Sequence, residues 1–291
     1  MVNGTIGFGY YRMGSVETGV LNTLEAEFAK GHLNTYITGL APYLLADTQK
    51  VLRKLKELGG RAWLGIAETA FIFSRPVRMS DGWEDSLNTM IGLLEREGLM
   101  ETVEGFYFDE PLLCGVTKED FREVTRYLRE TWPQLRVLTI FATNAISPQV
   151  WSSGDDHPLD PETAQYLTDV GYDMYWDVRD GGLEPYERVN ADLKRRLGRD
   201  DVRIWYVPCI MSYHGTSDEP YALAHLEAMY HFLQEEKNPG GLMCYAYDIA
   251  DRDGDVQNIG YREMRDRKDN PWRMLEERLI QIGRAVIGAP Q

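Results

Sequence analysis

Gly105-Phe106-Tyr107-Phe108-Asp109-Glu110-Pro111 is a run of apolar and aromatic residues that stops at two carboxylates and a proline. Aromatic side chains suit a pleated, half-buried surface, and proline cannot donate to a ladder. The run therefore predicts a strand over Gly105–Asp109 that breaks by Pro111. The amphipathic stretch Lys118–Thr131 follows, completing a β/α unit. The same unit recurs on both sides. Strands are predicted over Thr5–Tyr11, Asn34–Gly39, Arg61–Ala67, Arg136–Ala142, Tyr172–Trp176, Val202–Ile210 and Leu242–Tyr247. Amphipathic stretches fall at Leu44–Leu58, Trp83–Glu97, Pro161–Val170, Tyr186–Leu197 and Pro220–Glu235. A last helix, Pro271–Ile287, has Asn270 as its N-cap and Pro271 in its first position.

Eight strands alternating with helical stretches read as an α/β chain forming a single (β/α)8 TIM barrel over residues 1–291. A doubly wound sheet would have fewer strands and a glycine-rich first turn. Here Gly7-Phe8-Gly9-Tyr10-Tyr11-Arg12 starts as G-x-G, lacks the third glycine and puts bulky aromatics where a pyrophosphate would sit. The longest stretch without periodicity is the loop at residues 248–269, and loops of that length are more often functional than idle.

The chain has 31 Lys plus Arg against 46 Asp plus Glu, a net charge of −15, which argues against a nucleic-acid partner. It lacks the run of about 18 apolar residues that a membrane span needs. The opening Met1-Val2-Asn3-Gly4-Thr5 does not resemble a signal peptide, so a cytoplasmic protein is expected, or a secreted one if a leader was removed. Cys114, Cys209 and Cys244 show no metal-type spacing and cannot all pair. Cys209 and Cys244 are expected as small core residues, and Cys114 as a thiol near the barrel mouth.

In a barrel the site lies where strands end. Those ends supply Tyr10 and Tyr11, Glu68, Asp109 and Glu110, Asn144, Tyr175-Trp176-Asp177, Tyr213-His214 and Tyr247-Asp248. Aromatic faces stack on the C–H faces of sugars, and carboxylates do the acid/base work of glycoside cleavage, so the set leans towards carbohydrate. Competing chemistries fit less well. All the lysines fall in predicted helices or loops, where Schiff-base catalysis would need one on a strand. The five histidines include no H-x-H pair, so no metal or other cofactor is expected. Asp251-Arg252-Asp253-Gly254-Asp255 fails as an EF-hand, because aligning its glycine puts Ile249 and Gly260 at ligand positions.

Asp109-Glu110-Pro111 resembles the fourth-strand motif of TIM-barrel glycoside hydrolases. The large retaining clan carries Asn-Glu there, often followed by Pro. Families 20 and 123, the N-acetylhexosaminidases, carry Asp-Glu. The resemblance implies Glu110 as the general acid/base and Asp109 as the residue that orients a 2-acetamido group acting as nucleophile. The large clan places its nucleophilic Glu on strand seven, and this chain has no carboxylate between Val202 and Tyr213. Two routes stay open: substrate assistance through Asp109 and Glu110, or a second carboxylate from Asp177, Asp248 or Glu68 acting on a sugar without an acetamide. A barrel that binds glycans without cutting them is a third reading. Candidate substrate contacts are Tyr10, Tyr11, Asn144, Tyr175, Trp176, Tyr213, His214 and Tyr247. One difficulty is geometric: adjacent strand residues point to opposite faces, so Asp109 and Glu110 share a site only if the strand bends or ends at Asp109.

Overall fold

The computed structural model describes residues 5–11, 13–147, 159–175, 179, 182–212, 218–248 and 258–288. Eight strands close into a parallel barrel in chain order. They are β1 (Gly7–Tyr10), β2 (Thr35–Gly39), β3 (Arg61–Gly65), β4 (Val103–Asp109), β5 (Arg136–Ala142), β6 (Asp169–Asp173), β7 (Arg203–Val207) and β8 (Pro239–Cys244). Closure is made by β1, which pairs with β2 on one side and β8 on the other. Around the barrel lie α1 (Val20–Phe28), α2 (Leu45–Leu58), α3 (Trp83–Arg96), α4 (Lys118–Thr131), α5 (Glu184–Leu197), α6 (Glu219–Glu235), α7 (Tyr261–Arg265) and α8 (Arg273–Ile287). Among the described residues no helix is long and apolar enough to cross a membrane.

Alternation along each strand sorts the core into two layers. Phe106 and Phe108 of β4 face the helices, where Phe108 meets Phe121 of α4 edge-on at 5.3 Å. Phe121, Val124, Thr125 and Leu128 form the buried stripe of α4, whose first turn is capped by Thr117 accepting from the Asp120 amide at 3.1 Å. Tyr107, Leu138, Ile140, Trp205, Val207 and Met243 fill the barrel interior together with Trp63. Trp63 and Trp205 meet edge-to-face at 5.7 Å. These indoles dictate glycines elsewhere. A Cβ at Gly241, where φ is 157°, would fall 2.1 Å from the Gly7 carbonyl and 2.7 Å from Trp205. A Cβ at Gly171 would fall 2.4 Å from Ile140 and 2.8 Å from the Trp205 carbonyl.

The same packing explains where boundaries differ from expectation. Strand eight begins at Pro239, not Leu242, because the turn-like Pro239-Gly240-Gly241 is the backbone that fits beside Trp205. Strand six runs Asp169–Asp173, not Tyr172–Trp176. Its first residue is a fully buried aspartate, which reads as helix or loop in sequence. Asp169 is matched by the Arg136 guanidinium, with Nε at 2.7 Å, and by the Trp205 indole N–H, also at 2.7 Å. Arg136 in turn bonds Glu104 at 2.6 Å. The helix predicted over Pro161–Val170 is replaced at residues 161–166 by turns. There the Thr163 amide and hydroxyl both donate to the Asp160 carboxylate at 2.8 Å, a side-chain competitor to helical bonding. The last helix starts at Arg273, and Asn270 adopts a left-handed φ of 35° rather than capping it. Its free N–H at Leu275 is taken instead by the Glu219 carboxylate of α6 at 2.8 Å. Sequence also gave no sign of the hairpin Phe71–Ile72/Arg78–Met79 between β3 and α3. Cys209 and Cys244 are buried and Cys114 is exposed.

Removing one partner from a buried ion pair leaves the other charge unmatched, at a cost of about 3–5 kcal/mol. Asp169→Ala is expected to lower the unfolding free energy by that order in urea denaturation. A loss below about 1 kcal/mol would mean that the Arg136–Asp169 pair behaves as a surface bridge.

Candidate active site

The inward residues of β4 are Gly105, Tyr107 and Asp109, so the strand's own periodicity delivers Asp109 to the mouth. Glu110 would point outwards if the strand continued. It does not: the Glu110 amide makes the last ladder bond, to the Ile140 carbonyl at 2.9 Å, and its φ is 40°. That left-handed turn swings the Glu110 side chain back into the cavity that Asp109 lines. A left-handed non-glycine residue costs about 1–3 kcal/mol, so the surrounding turn must hold it. Bonds from the Cys114 amide to the Glu110 carbonyl and from the Val116 amide to the Pro111 carbonyl, both 3.0 Å, close that turn.

The cavity has a volume of about 390 Å³ and opens at the C-terminal ends of the strands. A third carboxylate enters it from β6. Asp173 is the last residue of that strand, two positions beyond inward-facing Gly171, and is in register with Ala142 and Val207. Its carboxyl is hydrogen-bonded to Glu110 and accepts from Tyr175. Burial raises the Glu110 carboxyl well above the usual carboxylate range, and the negative charges of Asp173 and Asp109 raise it further. Asp173 is also raised, first by burial and then by the Asp109 charge, while its bonds to Tyr175 and Glu110 pull it back. Two carboxyls in hydrogen-bond contact share a proton.

Asp109 is held separately. The Tyr107 hydroxyl donates to Asp109 Oδ1 at 2.9 Å and lies 2.7 Å from the Tyr11 hydroxyl. One phenol carries one proton, so Tyr11 donates to Tyr107 and Tyr107 to Asp109. Tyr11, Tyr245 and Tyr175 then form an aromatic wall, with Tyr11 and Tyr245 edge-on at 5.3 Å and Tyr175 and Tyr245 stacked at 5.7 Å. Asn144 completes the lining from the end of β5. Among the described residues no group of His, Cys, Asp or Glu has the geometry to hold a metal ion.

The structure thus brings Asp109, Glu110, Tyr11, Asn144 and Tyr175 to one cavity. It places four other candidates elsewhere. Tyr10 and Tyr247 are almost fully buried on the helix-facing side, their rings 4.9 Å apart, which removes both as sugar platforms. Tyr10 bonds His32 at 2.9 Å and Tyr247 donates to the buried Glu27 at 2.8 Å. Tyr10 is an outward position of β1, and Tyr247 lies beyond the end of β8 among the helix-facing core residues. Glu68 is exposed on the short helical turn Ala67–Ala70 and accepts from Tyr43. Asp248 pairs with Arg262 at 2.5 Å and does not line the cavity. Trp176, Asp177, Tyr213, His214 and the acidic run Asp251–Asp255 lie outside the described residues. Sequence reasoning missed Asp173, Tyr107 and Tyr245. The signal for Asp173 was present: starting strand six at Asp169 makes Asp169, Gly171 and Asp173 its inward residues.

No family model matches the chain, and no curated protein matches it in sequence. Similar folds occur among solved structures. A protein of Bacteroides thetaiotaomicron described as a candidate α-L-fucosidase superposes with a TM-score of 0.52 at 11% identity, over 93% of this chain and 88% of that one. A Bacteroides uniformis β-glucuronidase gives 0.56 at 13% identity, over 88% of this chain and 33% of that one. An α-amylase from Lactobacillus plantarum gives 0.51 at 15% identity, over 96% and 78%. At such identities the likeness establishes the fold alone, a TIM barrel.

The carboxyl cluster has a consequence for stability. A group whose pKa rises on folding adds stability below its unfolded pKa and loses it as pH climbs through the folded value. Glu110 and Asp173 are both of this kind. Stability should therefore decline from weakly acidic to alkaline pH, and Glu110→Gln should flatten the decline. Thermal melts between about pH 5 and about pH 9 are expected to show the variant melting roughly 2–4 °C higher than the wild type at the alkaline end. A variant that melts lower throughout would contradict the shared proton.

Proposed function

We propose that the protein is a glycoside hydrolase in which Glu110 is the general acid/base and Asp109 its partner. The observation that carries this reading is Glu110 bonded to Asp173 and beside Asp109 inside an aromatic-walled cavity at a barrel mouth, where burial and then those two charges raise its carboxyl. A protonated Glu110 can give its proton to the glycosidic oxygen as the C–O bond breaks, then take one from the water that attacks the anomeric carbon and displaces the nucleophile in the return step.

Direct contact between Glu110 and Asp173 is closer than the separation of about 5–5.5 Å used by an acid and a protein nucleophile, or the roughly 6.5–9.5 Å that leaves room for water. The contact suits a proton-sharing pair better than an acid–nucleophile pair. Substrate assistance has no such distance requirement. The acetamide oxygen of a 2-acetamido sugar attacks the anomeric carbon while Asp109, fixed by Tyr107, accepts the amide N–H. Asp173 then keeps the Glu110 proton available. A second reading uses Asp173 as the second carboxylate on a sugar without the acetamide. It rests on Asp173 lining the cavity, which Asp248 and Glu68 do not.

Hydrolysis of aryl glycosides with and without a 2-acetamido group tests both. Glu110→Gln is expected to lower kcat by about 10²–10⁴-fold, and Asp109→Asn to act selectively on the acetamido sugar. Cleavage of plain glycosides only would move the assignment to Asp173, and full turnover by Glu110→Gln would end the proposal. The pH profile gives a further check. Activity needs protonated Glu110, so it falls as pH rises through the raised pKa. Because Asp173 helps to raise that value, Asp173→Asn is expected to shift the alkaline limb to lower pH. An unmoved limb would separate Asp173 from the proton.

A further inference from the structure

The cavity does not end at its rim. Four large apolar side chains stand exposed among the described residues: Tyr43 at 72%, Phe73 at 44%, Leu113 at 48% and Met274 at 56%. Single exposed apolar residues need no explanation. Three of these, however, fall on consecutive loops at the mouth: Tyr43 after β2, Phe73 after β3 and Leu113 after β4. Leu113 lines the cavity itself, so the row begins at the site.

Each loop is tied to the next. Tyr43 donates its hydroxyl to Glu68, which belongs to the loop after β3. Phe73 stacks edge-on at 6.3 Å against buried Phe71, which in turn sits 6.4 Å from Phe108 of β4. Val77, in the turn of the same hairpin, packs so close to Gly115 that a Cβ there would be 3.3 Å from it. The exposed rings are therefore held by bonds and contacts behind them, while their surfaces stay in water. Keeping large apolar surfaces ordered and wet is unfavourable unless a partner covers them.

Resting on the glycosidase reading, we infer that the rim over the loops after β2, β3 and β4 is a platform for further sugar residues, and that the substrate is an oligosaccharide. Flat aromatic rings match the apolar C–H side of a pyranose, and the Tyr43 hydroxyl adds a polar edge. Tyr43 and Phe73 offer the rings, and the exposed Glu68 holds Tyr43. Glu68 thus acts as a positioning residue for Tyr43, not as the second catalytic carboxylate.

The test is binding and turnover of cello-, xylo- and chito-oligosaccharides from disaccharide to hexasaccharide. Affinity is measured on Glu110→Gln by calorimetry, and kcat/KM on the otherwise intact chain. Affinity and kcat/KM should grow with chain length in one series. Tyr43→Ala and Phe73→Ala should each remove about 2- to 10-fold of that gain on the longest member, while leaving an aryl monosaccharide glycoside unchanged. Glu68→Gln, which can still accept from Tyr43, should retain the gain, and Glu68→Ala should lose part of it. Gain with length that survives the Tyr43→Ala/Phe73→Ala double variant overturns the platform, as does binding by no member of the panel. Self-association that Tyr43→Ala abolishes, without length dependence, would assign the row to a protein contact instead. The two readings fail separately. Aryl glycoside cleavage without preference for longer chains sinks the platform alone, and length-dependent binding without cleavage sinks the hydrolase alone.

Discussion

Three carboxyl groups crowded at one barrel mouth, two of them in hydrogen-bond contact, are not all charged at once. Asp109, Glu110 and Asp173 meet this constraint at the mouth of the barrel, and the protein resolves it by dividing their roles. Asp109 receives a phenolic hydrogen bond from Tyr107, backed by Tyr11. Glu110 and Asp173 bond to each other, and burial raises both. The proton that this arrangement retains is the group that an acid catalyst needs, and it comes from the environment rather than from residue identity. The left-handed turn at Glu110 is what makes the arrangement geometrically attainable.

The opposite end of the barrel solves a similar problem by compensation. Asp169 is as buried as any group in the molecule, yet the Arg136 guanidinium and the Trp205 indole satisfy it fully. Glu104 then completes the Arg136 fork. Along one strand, β6, the first inward residue is a matched anion and the last is an unmatched one, with a glycine between them that makes room for Trp205. The contrast separates structure from chemistry: a buried carboxylate with a cation holds the fold, and one with only carboxylates and phenols for company is poised to exchange a proton. Such a site is unfavourable for stability and must be carried by the rest of the barrel.

The architecture was legible because its periodicities are strong. β5 and α4 fall where alternation and the 3.6-residue pattern put them. Asp109 and Glu110 were legible too, since a strand, two carboxylates and a proline occur in seven residues. What was not legible depended on distant partners. Asp169 looks like a strand breaker until Arg136 is placed beside it, and that displaced strand six by three residues and hid Asp173. Pro239-Gly240-Gly241 looks like a turn until Trp205 fills the space where side chains would be. Tyr10 looks like a rim aromatic until strand parity turns it towards the helices, and Tyr247 until the chain beyond β8 carries it into the same layer. The shared cavity of Asp109 and Glu110 turns on a single backbone angle, which no local propensity assigns to a glutamate.

The central claim is that Glu110 carries a proton at neutral pH because it is buried and because Asp173 and Asp109 stand beside it. Infrared difference spectroscopy of the resting protein tests this directly, by titrating the carbonyl stretch of protonated carboxyl groups. The account predicts a protonated-carboxyl band that persists at neutral pH, disappears in Glu110→Gln, and titrates at lower pH in Asp173→Asn. A wild-type protein whose carboxyl bands are all lost by weakly acidic pH would contradict it.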